Sequence, residues 1–140
     1  MLNSDDFLEL EKLPESMIFI GAGYIGMEFA HIAARLGVEV TVIDTEPRPL
    51  SNFDEDMVAH LTEASEAIGI KFIFNAKASK VEKLRKYLRV TAETKNGEEI
   101  SAKAELIFNT AGRVPSIDEL ELEKGLHTSF TEQSLTLMNI

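Results

Sequence analysis

The residue types and spacings that could do chemistry stand near the start of the chain, in Gly21-Ala22-Gly23-Tyr24-Ile25-Gly26 and in Asp44. A Gly-x-Gly-x-x-Gly turn lets backbone come close to an anion. Gly21 permits a tight reversal, Gly23 leaves room for a pyrophosphate where any Cβ would intrude, and Gly26 lets the following helix pack closely. The pyrophosphate charge then faces the N–H groups and the positive end of that helix. Asp44 stands 23 positions after Gly21, where a carboxylate can accept hydrogen bonds from ribose hydroxyls and repel a 2′-phosphate. Three glycines and a turn aspartate also make a plain tight connection, so the pattern needs its context. Arg48 is near enough to meet a 2′-phosphate, but Glu46 adds a further negative charge, and the balance favours NAD(H) over NADP.

The elements that must position these residues can be read on either side of the turn. Met17 to Ile20 is an apolar run ending in glycine, which predicts a buried strand. From Tyr24 to Leu36 the period becomes helical, with Ile25, Phe29, Ile32, Ala33 and Leu36 as an apolar stripe. Ala30, Ala33 and Gly37 add a line of small residues, and Gly37 stops the helix. Val38 to Asp44 predicts a second strand. Ser51 or Asp54 can cap a second helix carrying Met57, Leu61, Ala64 and Ile68, and Ile70 to Phe74 follows as a third strand. Strands alternating with helices imply a right-handed parallel βαβαβ unit.

After Asn75 the texture becomes that of a meander. Ala76 to Lys83, Tyr87 to Thr94 and Glu99 to Lys103 are short strands, with Lys95-Asn96-Gly97-Glu98 as a hairpin turn. Glu105 to Asn109 is a last apolar strand, expected to rejoin the parallel sheet and lead into Thr110-Ala111-Gly112-Arg113. The fold class expected is therefore α/β, a Rossmann-like three-layer domain whose parallel βαβαβ sheet carries a β-meander insertion.

Composition narrows the function classes. At 140 residues the chain is one ordinary domain, short for a complete oxidoreductase. A net charge of −10 argues against nucleic acid, whereas a few amides at a helix start can still hold a dinucleotide. No apolar run approaches the roughly 18 residues of a membrane span, and the acidic start is no signal peptide, so no membrane partner and a cytoplasmic location are expected. Cysteine is absent, and His31, His60 and His127 fit no ligand spacing, so no metal is expected. The basic cluster Lys80, Lys83, Arg85, Lys86 and Arg89 reads as a solvated face.

The stretch Gly21-Ala22-Gly23-Tyr24-Ile25-Gly26-Met27-Glu28-Phe29-Ala30, with Thr110-Ala111-Gly112-Arg113-Val114-Pro115-Ser116 about 90 residues later, resembles the nicotinamide-dinucleotide domain of the FAD-dependent pyridine nucleotide–disulfide oxidoreductases. That family includes glutathione reductase and dihydrolipoamide dehydrogenase. The resemblance implies that Tyr24 is the aromatic gate over the flavin ring and Glu28 the acid that orients the nicotinamide. Gly112 and Arg113 would lie at the edge of the dinucleotide site, although the family's usual Ala-Thr-Gly-Arg is altered here. NADP-dependent relatives place arginines where this chain has Thr45 and Ser51, which again implies NAD(H). The candidate binding set is then Gly21, Gly23, Tyr24, Ile25, Gly26, Glu28, Asp44, Thr45, Gly112 and Arg113.

The resemblance further implies that residues 1–15 lead in from a missing FAD domain, with Phe7, Leu8 and Leu10 docking. Residues 16–125 would form the NAD(H)-binding domain, and 126–140 a C-terminal remnant with little signal. The expected partners are the FAD-binding and C-terminal interface domains of a homodimeric parent in which NADH passes hydride to FAD, the isolated domain being inactive. Two rivals stand beside this: a free-standing NAD(H)-sensing regulatory module, and an FAD-binding half using the same glycine turn. Apart from any resemblance, Tyr24 is also what a surface aromatic at a helix start looks like, and Glu28 what a first-turn acid looks like.

Overall fold

The computed structural model describes residues 1–112. Arg113, His127 and the stretch 126–140 lie outside the described residues. In chain order the elements are α1 (Ser4–Leu8), β1 (Ser16–Ile20), α2 (Tyr24–Arg35), β2 (Glu39–Ile43), α3 (Glu55–Ala67), β3 (Lys71–Ile73), β4 (Ala76–Lys83), β5 (Leu88–Thr94), β6 (Glu99–Ala104) and β7 (Leu106–Asn109).

Four strands form a parallel sheet in the order β3-β2-β1-β7, and β4-β5-β6 form a separate antiparallel sheet. β1 lies at the centre because Met17, Ile18 and Phe19 are apolar without alternation, and both faces of a parallel sheet are covered. Met17 and Phe19 face the helices with Met27, Ala30 and Ala33 of α2. Ile18 faces the other way, into a second cluster with Ile43 and with Val90, Ala92 and Ala104 of the antiparallel sheet. Helices, parallel sheet and meander are thus three layers, and β7 returns beside β1 as expected.

The two long helices are where the sequence reading must be corrected. α2 buries Gly26, Met27, Ala30 and Ala33, while Ile32 is 47% and Leu36 62% exposed. The buried face is Met27 with the small residues Ala30 and Ala33, and of the predicted stripe Ala33 and Phe29 pack on the core while Ile32 and Leu36 do not. In α3 the cap is Asp54, whose carboxylate accepts from Met57 N at 3.1 Å. Its inner face is Val58, Leu61, Ser65 and Ile68, and Met57, expected inside from its spacing, is 69% exposed. Gly37 has φ +87° just past α2, the left-handed stop its position predicts.

The leading segment joins the core. Asn3 caps α1 in a capping box with Asp6, and Phe7 stacks on Phe29 at 4.1 Å between ring centres. Leu2 bridges to Phe108 along the outer edge of β7. Phe7 and Leu10 pack inward, and Leu8 is exposed. In the basic cluster, Lys80 pairs with Glu82 at 2.7 Å, and Lys86 reaches Glu15 at 3.2 Å and Glu105 at 3.3 Å. These pairs are of small energetic weight, with Glu105 the one half-buried partner. Among the described residues no helix is long and apolar enough to cross a membrane, and no group of acids and histidines could hold a metal ion.

Candidate dinucleotide site

The site is assembled at the carboxyl ends of β1, β2 and β7, where open parallel sheets place their ligands. Gly21 leaves β1 with φ +107°, its N–H donating to Ile43 O at 2.8 Å. A Cβ on Gly21 would stand 2.6 Å from Ala111 N, so the turn and the second motif touch directly. A Cβ on Gly26 would overlap the Gly21 carbonyl oxygen and come within 2.7 Å of Thr110 Oγ1. Gly26 therefore permits packing against the turn itself and the end of β7, a sharper role than closeness to a strand. Gly23 differs from both. A Cβ there would meet nothing within 4 Å, so this glycine opens onto free space.

One peptide unit in the turn is held from two sides. The N–H of Ala22 donates to Asp44 Oδ2, and the carbonyl of Gly21, the other end of the same peptide, accepts from Thr110 Oγ1 at 2.8 Å. Asp44 Oδ1 also accepts from Glu46 N at 2.8 Å. The carbonyl of Ala22 accepts from Leu50 N at 2.9 Å, which ties the loop after β2 to the turn. Leu50 has φ +49°, a left-handed conformation unusual for an aliphatic side chain.

Arg48 answers the question left by its position. Its guanidinium donates to the carbonyls of Leu50 (3.2 Å), Ser51 (2.8 Å) and Phe53 (3.0 Å). The arginine closes its own loop with three of its five N–H groups while it lines the cleft beside Asp44.

Around the turn lies a cleft of about 350 Å³ that includes Gly21, Gly23, Asp44, Thr45, Arg48 and Gly112. A second, more apolar groove of about 720 Å³ runs between α2 and α3 past Glu28, His31 and Phe53. Tyr24 borders both. Glu28 lies one turn further along α2 in the second groove, and the first turn of α2 carries no acid. The first-turn reading of Glu28 therefore does not hold. Ile25 is half-buried and Gly26 buried, so neither presents a side chain to the cleft. Of the candidate set only Arg113 lies outside the described residues.

His31 Nε2 lies 2.8 Å from Ser65 Oγ, joining α2 to α3. Ser65 gives its only proton to Leu61 O at 2.6 Å, so its oxygen accepts and the proton sits on Nε2 of His31. Burial, and then the charge of Arg35, hold the His31 pKa below its ordinary value.

A pyrophosphate fits this arrangement. Gly23 leaves the space a side chain would fill, and no side chain caps the start of α2. A glycine turn braced by β2 and β7, with a carboxylate at the end of β2, defines a dinucleotide-binding domain of the Rossmann type. Within that class the family is shown by comparison. The chain belongs to the pyridine nucleotide-disulphide oxidoreductase family, which residues 1–133 match.

It is 35% identical over 125 residues to the dihydrolipoyl dehydrogenase of Bacillus subtilis, covering 89% of this chain and 26% of that protein. With the dihydrolipoyl dehydrogenase of Halobacterium salinarum it shares 34% over 123 residues, covering 88% and 26%. Among solved structures it resembles LpdA of Mycobacterium tuberculosis, with a TM-score of 0.75 and 29% identity over 88% of this chain and 26% of that one. It also resembles the HOCl-induced flavoprotein disulfide reductase RclA of Escherichia coli, with a TM-score of 0.78 and 25% identity over 87% and 26%. The chain spans about a quarter of the length of these relatives and corresponds to their NAD-binding module.

Sequence reasoning missed Leu50, Phe53 and the hydroxyl of Thr110 as parts of the site. Leu50 and Phe53 carry no signal in their types. Thr110 stands in the second motif, and its substitution for the usual alanine is the clue that the sequence holds.

Proposed function

We propose that this chain binds NAD(H) along the glycine turn and presents the nicotinamide to a flavin held by a separate FAD-binding domain of the same enzyme. The observation that carries this is the meeting of Gly23's open side, the start of α2 and the Asp44 carboxylate in one cleft. The first-turn amides of α2 hold the pyrophosphate, and Asp44, with Thr45 beside it, takes the adenosine ribose. Arg48 spends three of its five N–H groups on its own loop, which weakens it as a partner for a 2′-phosphate and supports NADH over NADPH. Bound NADH supplies a hydride that the flavin of the enzyme accepts.

Tyr24, at the junction of the two clefts, gates the nicotinamide's approach to the flavin, and Glu28 orients the nicotinamide carboxamide. Gly112 and Arg113 close the edge of the site towards the flavin domain. Residues 16–125 form the binding unit, with 1–15 leading in from that domain, and a C-terminal interface domain pairs two such enzymes in the cytoplasm. Fluorescence titration with NADH, NADPH and FAD tests this. The expected order is NADH well ahead of NADPH, with FAD unbound. Preference for NADPH would remove the specificity assignment, and tight FAD binding would make the chain a flavin-binding half.

A further inference from the structure

The Gly21–Ala22 peptide is the part of the glycine turn on which the surrounding structure converges, and its two ends are held unequally. The N–H end has Asp44. The carbonyl end is buried with Gly21 and accepts one hydrogen bond, from Thr110 Oγ1 at 2.8 Å. Ile20 O lies 3.0 Å from the same hydroxyl, but it already accepts from Thr110 N at 2.8 Å. A hydroxyl has one proton, and the shorter contact to the otherwise unpartnered carbonyl claims it. The same oxygen stands 2.7 Å from where a Cβ on Gly26 would be, so Thr110 lies directly behind the first turn of α2.

We propose that Thr110 is a positioning residue for pyrophosphate binding. By holding the Gly21 carbonyl while Asp44 holds the Ala22 N–H, its hydroxyl fixes the peptide plane that aims the glycine turn. The carbonyl oxygen is then kept turned into the protein, against Gly26 and Thr110. Rotation of this peptide would bring the oxygen round towards the Asp44 carboxylate and leave the Ala22 N–H without its acceptor. Loss of the hydroxyl would leave a buried carbonyl unpaired, and the turn would sample such rotated states. The altered order Thr110-Ala111 thereby acquires a physical role, since the residue at the end of β7 supplies a donor that alanine lacks.

This inference rests on the NAD(H) reading for its binding readout, and its test separates the two. Thr110→Val keeps shape and loses the hydroxyl, while Thr110→Ser keeps the hydroxyl and loses the methyl group. In the full chain, NADH titration should give Thr110→Ser within about twofold of the parent and Thr110→Val roughly five- to tenfold weaker. Amide hydrogen exchange without nucleotide should be about tenfold faster at Ala22 in Thr110→Val and unchanged in Thr110→Ser.

A merely structural role in packing predicts the opposite order, with serine the worse variant. Thr110→Val binding and exchanging like the parent, or both variants failing equally, would overturn the proposal. Should the valine variant unfold, Thr110→Ala replaces it in the same comparison. A parent chain that binds no NADH defeats the NAD(H) reading, and the exchange data still decide the role of Thr110.

Discussion

The carboxylate of Asp44 accepts the backbone N–H of Ala22, so the acid that closes the second strand of the parallel sheet also holds the turn that closes the first. On the proposed NAD(H) reading, specificity and turn geometry share this one side chain. A carboxylate offers about four lone-pair directions. Ala22 N, Glu46 N and, at 3.5 Å, the Thr45 hydroxyl take three of them, which leaves capacity for a ribose hydroxyl.

Replacing Asp44 should reveal both roles. Asp44→Ala is expected to weaken NADH by roughly ten- to a hundredfold, since it removes the ribose acceptor and frees the Ala22 amide. Asp44→Asn can still accept from Ala22 through its amide oxygen. It should lose less NADH affinity while narrowing the NADH-to-NADPH ratio, because the charge that repels a 2′-phosphate is gone. Titration of both variants with both nucleotides checks this, and an unchanged ratio in Asp44→Asn would remove Asp44 as the selector.

Gly23 and Gly26 should separate binding from folding. Gly26→Ala places a methyl group against the Gly21 carbonyl and Thr110, and should cost about 1–3 kcal/mol of stability. Gly23→Ala meets no neighbour and should leave the thermal midpoint within about 2 °C of the parent. Its cost should fall on NADH affinity instead. Thermal denaturation and titration on the same samples decide the matter; a Gly23→Ala variant that binds normally would place the pyrophosphate elsewhere.

Arg48 is expected to matter for the loop and not for a phosphate. Arg48→Ala removes donors from three carbonyls and should destabilise the chain by about 1–2 kcal/mol. Its NADPH affinity should fall no further than its NADH affinity. A selective loss of NADPH on titration would show that the guanidinium leaves its loop to meet the nucleotide.

Acid should lower stability at His31, where Nδ1 takes the second proton while Nε2–H keeps donating to Ser65. Burial and Arg35 lower its folded pKa, so the unfolded chain takes up this proton more readily. The stabilising contribution is complete above the unfolded pKa of about 6.5 and is lost as pH falls through the lowered folded value. His31→Gln can still donate to Ser65 but does not titrate. Urea unfolding at about pH 7.5 and pH 5 should therefore show a smaller drop in stability for the variant than for the parent; equal drops would acquit His31.

Much of the fold was legible because it is set locally. Gly37 stops α2 by backbone conformation, Asp54 caps α3 within its own turn, and the Gly97 hairpin needs only neighbouring residues. The phase of the helices was not legible. Ile32 and Leu36 look like core residues by type, yet they face outward because Ala30 and Ala33 permit a closer approach to β1 and β2. That choice depends on the distance between helix and sheet, which no single segment contains. The same holds for Arg48, whose type fits a phosphate and which, once folded, donates to three carbonyls of its own loop.

By itself the sequence determined the order of elements from β1 to β7, the glycine turn and the acid at the end of the second strand, because these follow from short-range backbone chemistry. Only the tertiary structure decided that Asp44 and Thr110, from strands 22 and 89 positions away, grip the two ends of one peptide. Such a grip comes into being when β2, β1 and β7 lie side by side, since hydrogen bonds between distant residues need the sheet to bring their partners within about 3 Å.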